Sequence, residues 1–225
     1  CIYGGAAGGG KTYALLLECL RHIDNKLFEA VIFRQSRPQI MSAGGLYATS
    51  QEIYPHLGAS SVLTPNVQWR FQSGAKVTFA HMFYEKEKYN WQGSQIPLLM
   101  FDELVHFTES QFFYMFSRNR STCGVRPYIR ATCNPDGESW VARFIDWWID
   151  PETGYADESR CGKLRYFIRR NNIIHWADTP QQLYEEFHLY SPEEMEEVKS
   201  VSFISAKLTH NAAMMKHHPG YIGAL

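Results

Sequence analysis

The chain has 225 residues, 45% hydrophobic and 20% charged, enough to bury one large domain or a domain with a small satellite. A formal net charge of −1 excludes a global basic field, so any contact with nucleic acid has to be a local patch. No signal peptide is evident, no apolar run approaches the about 18 residues of a membrane span, and the five cysteines form no CxxC pair, which signals neither a zinc site nor a disulfide framework.

The chain opens on Cys1-Ile2-Tyr3, the end of an apolar strand, and so reads as a fragment of a longer protein. Gly5-Ala6-Ala7-Gly8-Gly9-Gly10-Lys11-Thr12 follows and fits GxxxxGK[ST], the P-loop or Walker A pattern. Tyr13–Leu20 reads as a helix, giving the strand–loop–helix context that the pattern needs. Glycines let the backbone take positive φ and approach a phosphate chain closely. The loop N–H groups and the helix N-terminus then face the anion. Lys11 would set a positive charge on the β- and γ-phosphates, and Thr12 would offer its hydroxyl to Mg²⁺. The bland alternative is a flexible glycine-rich turn.

Ala30–Phe33 is an apolar strand that delivers Arg34 to its carboxyl end, and helical sequence lies near Gly45–Tyr54. Val67–Phe71 and Lys76–Ala80 alternate with period two around Ser73-Gly74, the pattern of a β-hairpin at a sheet edge. Glu85–Tyr89 reads as a short helix. Ile96–Phe101 is an unbroken apolar run, as in a buried parallel strand, and it ends in Asp102-Glu103. Ligands of open α/β sheets bind at the carboxyl ends of strands. Asp102 is therefore assigned to the metal, through water, and Glu103 to orienting and activating the attacking water. Alternatively, the two carboxylates merely start the next helix.

Glu109–Arg118 is a helix with an aromatic face, read as core rather than as a base-stacking platform. Tyr128–Cys133 suits a further core strand; Thr132 and Asn134 would end it with polar groups that sense the γ-phosphate or the attacking water, and Pro135 would stop its ladder. On its own this is an ordinary strand-ending Asn-Pro turn. Ser139–Trp148 reads as an amphipathic helix. A turn at Asp150–Gly154 marks the expected boundary between a core at 1–150 and a second segment at 151–225. Beyond it come a strand at Leu164–Ile168, a helix at Pro180–Tyr190, a helix starting at Pro192 and a final strand at Phe203–Leu208. The glutamates of SPEEMEEVKS read as a solvated helix start, with Ser191 as N-cap and Pro192 at the first helical position, not as a metal site.

In this order the motifs resemble the ATPase domain of large terminase subunits, the DNA-packaging motors of tailed bacteriophages and prophages. The matching pieces are GGAAGGGKT, YNWQGSQIPLLMFDELVHFTE with Gly93 before the acidic strand, ATCNP, and FISAKLTHNAAMM. The resemblance implies an α/β fold with a RecA-like core of the additional-strand catalytic-glutamate type: a mostly parallel sheet flanked by helices, with a small C-terminal lid subdomain. It implies ATP and Mg²⁺ as ligands, and hydrolysis coupled to translocation of double-stranded DNA into a procapsid. It further implies a homo-oligomeric ring on a portal, a small terminase subunit as partner, no membrane, and a place in the host cytoplasm. The acidic nuclease cluster that family members carry is not expected in this chain.

Some members carry an arginine finger inside Walker A, where this chain has alanine and glycine; others carry it just before the glycine that precedes Walker B, where this chain has Gln92. Arg34, Arg118 and Arg120 are the remaining finger candidates. Arg118, Arg120, Arg126, Arg130 and the pair Arg169-Arg170 are local candidates for phosphate contacts with DNA, against a solvated basic face. The alternatives are another RecA-like ATPase such as a helicase, a P-loop phosphotransferase, and a non-catalytic nucleotide-sensing module. The Asp-Glu pair counts against the phosphotransferase, and the intact Lys11, Thr12, Asp102 and Glu103 count against the silent module.

Overall fold

The computed structural model describes residues 1–5, 8–134, 136–207 and 216. Ala6 and Ala7 of the glycine loop, Pro135, and positions 208–215 of the last expected strand and motif lie outside the described residues. The chain divides into two compact units, one holding Tyr3–Phe144 and the other Ile145–Ser205.

The first unit is a sheet in the order β3-β4-β5-β2-β6-β7-β1. Its strands are β1 (Ile2–Gly5), β2 (Glu29–Arg34), β3 (Ser60–Val62), β4 (Val67–Arg70), β5 (Lys76–His81), β6 (Leu98–Phe101) and β7 (Tyr128–Cys133). Strand β2 pairs in parallel with both β5 and β6, and β6 with β7. All four residues of β6 are buried, as expected where helices cover both faces of a parallel sheet. The glycine loop and α1 (Lys11–Glu18) follow β1, and α1 buries Leu15 and Leu16. Two short helices, α2 (Arg37–Met41) and α3 (Leu46–Gln51), follow β2. Helix α4 (Glu109–Phe116) is capped by Thr108, whose Oγ1 accepts from Gln111 N at 3.0 Å while Gln111 Oε1 accepts from Thr108 N at 2.8 Å. Its Phe112 packs on Phe101, Trp140 and Phe144, so the aromatic face belongs to the core.

The expected hairpin is present, since β4 and β5 are antiparallel with Val67 opposite Phe79. It is not the edge. Strand β3 pairs antiparallel outside β4, and its mostly polar sequence, Ser60-Ser61-Val62, gives no alternation to read.

The second unit begins within the segment read as one amphipathic helix. Helix α5 (Trp140–Ile145) stops at the unit boundary and a 3₁₀ turn continues over Asp146–Trp148. Trp148 is fully buried beside Trp176, and its indole N–H donates to the Lys163 carbonyl at 3.1 Å. The turn at Asp150–Gly154 therefore lies inside this unit. Strand β8 (Leu164–Arg170) pairs antiparallel with β9 (Ile173–Ala177) and with β10 (Lys199–Ala206). Helix α6 (Pro180–Glu186) places Leu183 against Ile168, Ala177 and Leu189. Helix α7 (Pro192–Met195) starts as its sequence indicates: Ser191 Oγ accepts from Glu194 N at 3.2 Å, and the Glu194 carboxylate accepts from the amides of Ser191 and Tyr190. Those amides hold the Glu194 carboxyl below its usual pKa.

Candidate nucleotide site

Strand register assembles the site. Phe33 of β2 pairs with Phe101 of β6, and Phe101 with Ala131 of β7. One residue further along each parallel strand lie Arg34, Asp102 and Thr132, in a row across the carboxyl end of the sheet. The ladder persists that far, because Asp102 N donates to the Phe33 carbonyl at 2.9 Å. Three strands held in register thus bring three polar side chains side by side.

Asp102 is the centre of the row, with 3% of its surface exposed. Thr132 Oγ1 donates to Asp102 Oδ1 at 2.8 Å. Thr12 Oγ1 lies 3.2 Å from Oδ1 and 3.4 Å from Oδ2. Arg34 Nη1 forms an ion pair with Oδ2 at 3.0 Å. Glu103 is the N-cap residue of a 3₁₀ turn over Leu104–His106 but makes no side-chain cap bond to it, and helix α4 is capped by Thr108, so neither carboxylate caps a helix.

Glu103 follows in the left-handed region, at φ 60° and ψ 68°. Its amide donates to Thr132 Oγ1 at 3.0 Å, so Thr132 bridges the two acidic residues. The side chain is held by Asn134, whose backbone N donates to Oε2 and whose Nδ2 donates to Oε1, each at 3.3 Å.

The glycine loop completes the arrangement. Gly10 sits at φ 73° and ψ 17° as the residue before α1, a conformation that glycine adopts without the Cβ penalty. Lys11 opens the helix and is buried, with Nζ donating to the Gly5 carbonyl at 3.2 Å and to Asn134 Oδ1 at 2.6 Å. Burial lowers the pKa of its ammonium, against the opposing pull of Glu103, Cys133 and Asp102. Cys133, buried beside this group, has its thiol pushed up to about 12 by desolvation. A cavity of about 140 Å³ lies beside Thr12, Arg34 and Asp102 and is lined on its other side by Gln39 and residues 42–46.

Lys11, Thr12, Asp102, Glu103, Thr132 and Asn134 therefore meet at one end of the sheet, together with Gly5 and Gly10; Gly8 takes φ 76° in the loop and the Gly9 carbonyl accepts from Tyr3 Oη at 3.2 Å. Arg34 joins them. Arg118 and Arg120 do not. The Arg118 carbonyl accepts from Ile96 N at 2.9 Å, and neighbouring Asn119 donates to the carbonyls of Ile96, Pro97 and Tyr128. Both arginines thus stand at the amino ends of β6 and β7, with Arg118 over the Tyr114 ring and Arg120 donating to the Ser94 carbonyl. Sequence reading missed Gln39 and the 42–46 loop; the Gly44-Gly45 pair was the available signal. It also missed the Arg34–Asp102 pairing, which exists only through register.

Residues 2–222 match the family described as terminase large subunit, T4likevirus-type, N-terminal. Among solved structures, the large terminase from a thermophilic bacteriophage is 11% identical over 97% of this chain and 74% of that chain, with a TM-score of 0.50. The same terminase in complex with ADP covers 97% and 75% at 11% identity and a TM-score of 0.47. The N-terminal domain of the DNA packaging ATPase from bacteriophage phi29 is 13% identical over 77% of this chain and 86% of that one, with a TM-score of 0.47. No curated protein matches the sequence. At these identities the structural likeness shows the fold alone, a RecA-like α/β sheet flanked by helices. The match over nearly the whole sequence shows the family: the chain belongs to the N-terminal domains of phage terminase large subunits.

Proposed function

We propose that this chain is the ATP-hydrolysing motor domain of a DNA-packaging terminase, coupling hydrolysis to translocation of double-stranded DNA into a procapsid. One observation supports this most directly: a buried lysine on a glycine loop, a Thr–Asp pair and an Asn-tethered glutamate converge at the carboxyl end of one parallel sheet.

The donor set fits Mg²⁺. That ion is held by one or two carboxylates together with substrate phosphates and waters, not by a protein cage. Asp102 and Thr12 offer such a set, and among the described residues no cluster of three or more His, Cys, Asp or Glu offers another. When bound between Thr12, Asp102 and the nucleotide, the ion would neutralise charge on the β- and γ-phosphate oxygens. Lys11, freed from Asn134, would pair with the same phosphates. Glu103 would accept the proton of the attacking water, while Asn134 holds its carboxylate in place. Thr132 would link the metal-side carboxylate of Asp102 to the backbone amide of Glu103 through one hydroxyl.

The remaining assignments extend this reading. The unit of Tyr3–Phe144 would be the motor core and that of Ile145–Ser205 the lid, so the division falls a few residues before the expected boundary at 150. The chain would work in the host cytoplasm, as a ring of like subunits on a portal, with a small terminase subunit delivering DNA. The DNA would be held through its phosphates, because a packaging motor moves along every sequence.

The test is ATP hydrolysis with and without linear duplex DNA. Duplex is expected to stimulate turnover without strand separation, and Lys11→Ala to weaken ATP binding by at least about a hundredfold. Unwinding of the duplex would move the reading to a helicase. Unchanged ATP affinity in Lys11→Ala would end the nucleotide-site assignment.

A further inference from the structure

The Arg34–Asp102 ion pair poses a conflict. Asp102 is the carboxylate assigned to the metal side, yet one of its oxygens already holds a guanidinium at 3.0 Å. A dication and a guanidinium repel each other at such range, so the two cannot both hold Oδ2. The carboxylate is deeply buried, and a buried carboxylate left unpaired is costly. It therefore needs a positive partner before any metal arrives, and Arg34, one register step beyond the Phe33–Phe101 pair, is placed to serve.

We infer that Arg34 is an exchangeable counter-ion: it neutralises Asp102 in the nucleotide-free chain and, when the metal–nucleotide complex takes Asp102, its guanidinium turns onto the terminal phosphate of the nucleotide in the same chain. The inference rests on the nucleotide-site reading above. The path is short. Arg34 and Asp102 line the same cavity of about 140 Å³ beside Thr12. A fifth of the Arg34 side chain is exposed, against 4% of Asp102, so the arginine is the partner with room to move. The guanidinium carries five donors in a planar fork suited to phosphate oxygens, and Nη1 alone makes the Asp102 contact. Arg118 and Arg120, at the amino ends of the strands, have no such route within the chain. The exchange makes Arg34 an arginine finger in cis, and ties its delivery to arrival of the metal.

Two readouts test this. The first is binding of Mn²⁺ alone, without nucleotide, followed by electron paramagnetic resonance. Arg34→Gln is expected to bind Mn²⁺ at least about tenfold more tightly than the parent, because the competing cation is gone. Asp102→Asn in the same background should abolish that gain. Arg34→Lys, which keeps the charge, should stay within about threefold of the parent. The second readout is steady-state ATP hydrolysis with Mg²⁺. Arg34→Gln and Arg34→Lys should each lower kcat by at least about a hundredfold with KM little changed. Mn²⁺ affinity in Arg34→Gln equal to or weaker than the parent's would overturn the exchange. Retention of kcat in either variant would overturn the finger. Should Arg34→Gln fail to melt cooperatively, Arg34→Lys decides by its kcat. A parent chain that hydrolyses no ATP would overturn the motor reading, and the Mn²⁺ measurement would still decide whether Arg34 and metal compete at Asp102.

Discussion

The two units place their charges differently. In the first, parallel strand β6 is buried throughout, β2 between its end residues and β7 over its last three residues, and Arg34, Asp102 and Thr132 stand at or next to the carboxyl ends. Arg34, Asp102 and Thr132 are gathered there by register, and their hydrogen bonds face one another across strands. In the second, antiparallel β8 carries charges along its length, two of them answered locally: Arg165 pairs with Asp178 at 3.1 Å and lies over the rings of Trp147 and Trp176, and Arg170 pairs with Glu197 at 2.7 Å. A parallel sheet covered on both faces has only its ends for chemistry. An antiparallel sheet can solvate a face, and uses paired charge there to stay soluble and specific.

That contrast breaks most visibly at Glu103. Glu103→Gln keeps the shape and one acceptor oxygen for Asn134 but cannot take a proton, so turnover should fall by about 10²–10⁴-fold while ATP binding measured by calorimetry is unchanged. Activity like the parent's would remove Glu103 from the role of base. Next comes a change confined to the other unit. Leu183→Ala opens a void beside Ile168 and Leu189 and should cost about 2–5 kcal/mol in denaturant unfolding, with kcat per folded molecule preserved. Loss of kcat in a fully folded sample would mean that chemistry is not confined to the first unit.

Thr132→Val is smaller still in stability but sharper in diagnosis. It leaves Asp102 Oδ1 and the Glu103 amide each short of a partner and should cost about 1–3 kcal/mol; Thr132→Ser should restore both stability and turnover. The last effect is on pH dependence. Desolvation raises the thiols of Cys19 and Cys133 to about 12 from the model-compound value of 9.0. Between those values the unfolded chain loses protons that the folded chain keeps, so stability should decline as pH rises above about 9. Both cysteines should also resist alkylation at pH 8.5 in the native state, and labelling at the rate of a free thiol would contradict their burial.

Much of this was legible in the sequence, for reasons tied to particular residues. Leu98–Phe101 announced a buried strand because nothing in it is polar, and the glycines before Lys11-Thr12 announced a tight turn between a strand and a helix. The row Arg34–Asp102–Thr132 was not legible. Each residue stands visibly at a strand end, but which strands are neighbours, and in what register, is decided by packing between segments about 30 to 70 positions apart. Strand β9 escaped for a different reason. Asn171 and Asn172 take φ of 51° and 64° and form a two-residue hairpin turn, with Arg170 paired to Ile173. Asparagine is a side chain that tolerates that conformation more readily than most, so the Asn-Asn pair is the turn signal that marks this hairpin.

The left-handed backbone at Glu103 has a consequence for anyone selecting improved versions of this domain. A non-glycine residue there is strained by about 1 kcal/mol or more, and Glu103→Gly would relieve that strain while deleting the side chain proposed as the base. On the proposed function, a library screened only for heat resistance would therefore be expected to enrich inactive chains at this position, and the penalty to mark where activity and robustness were selected against each other.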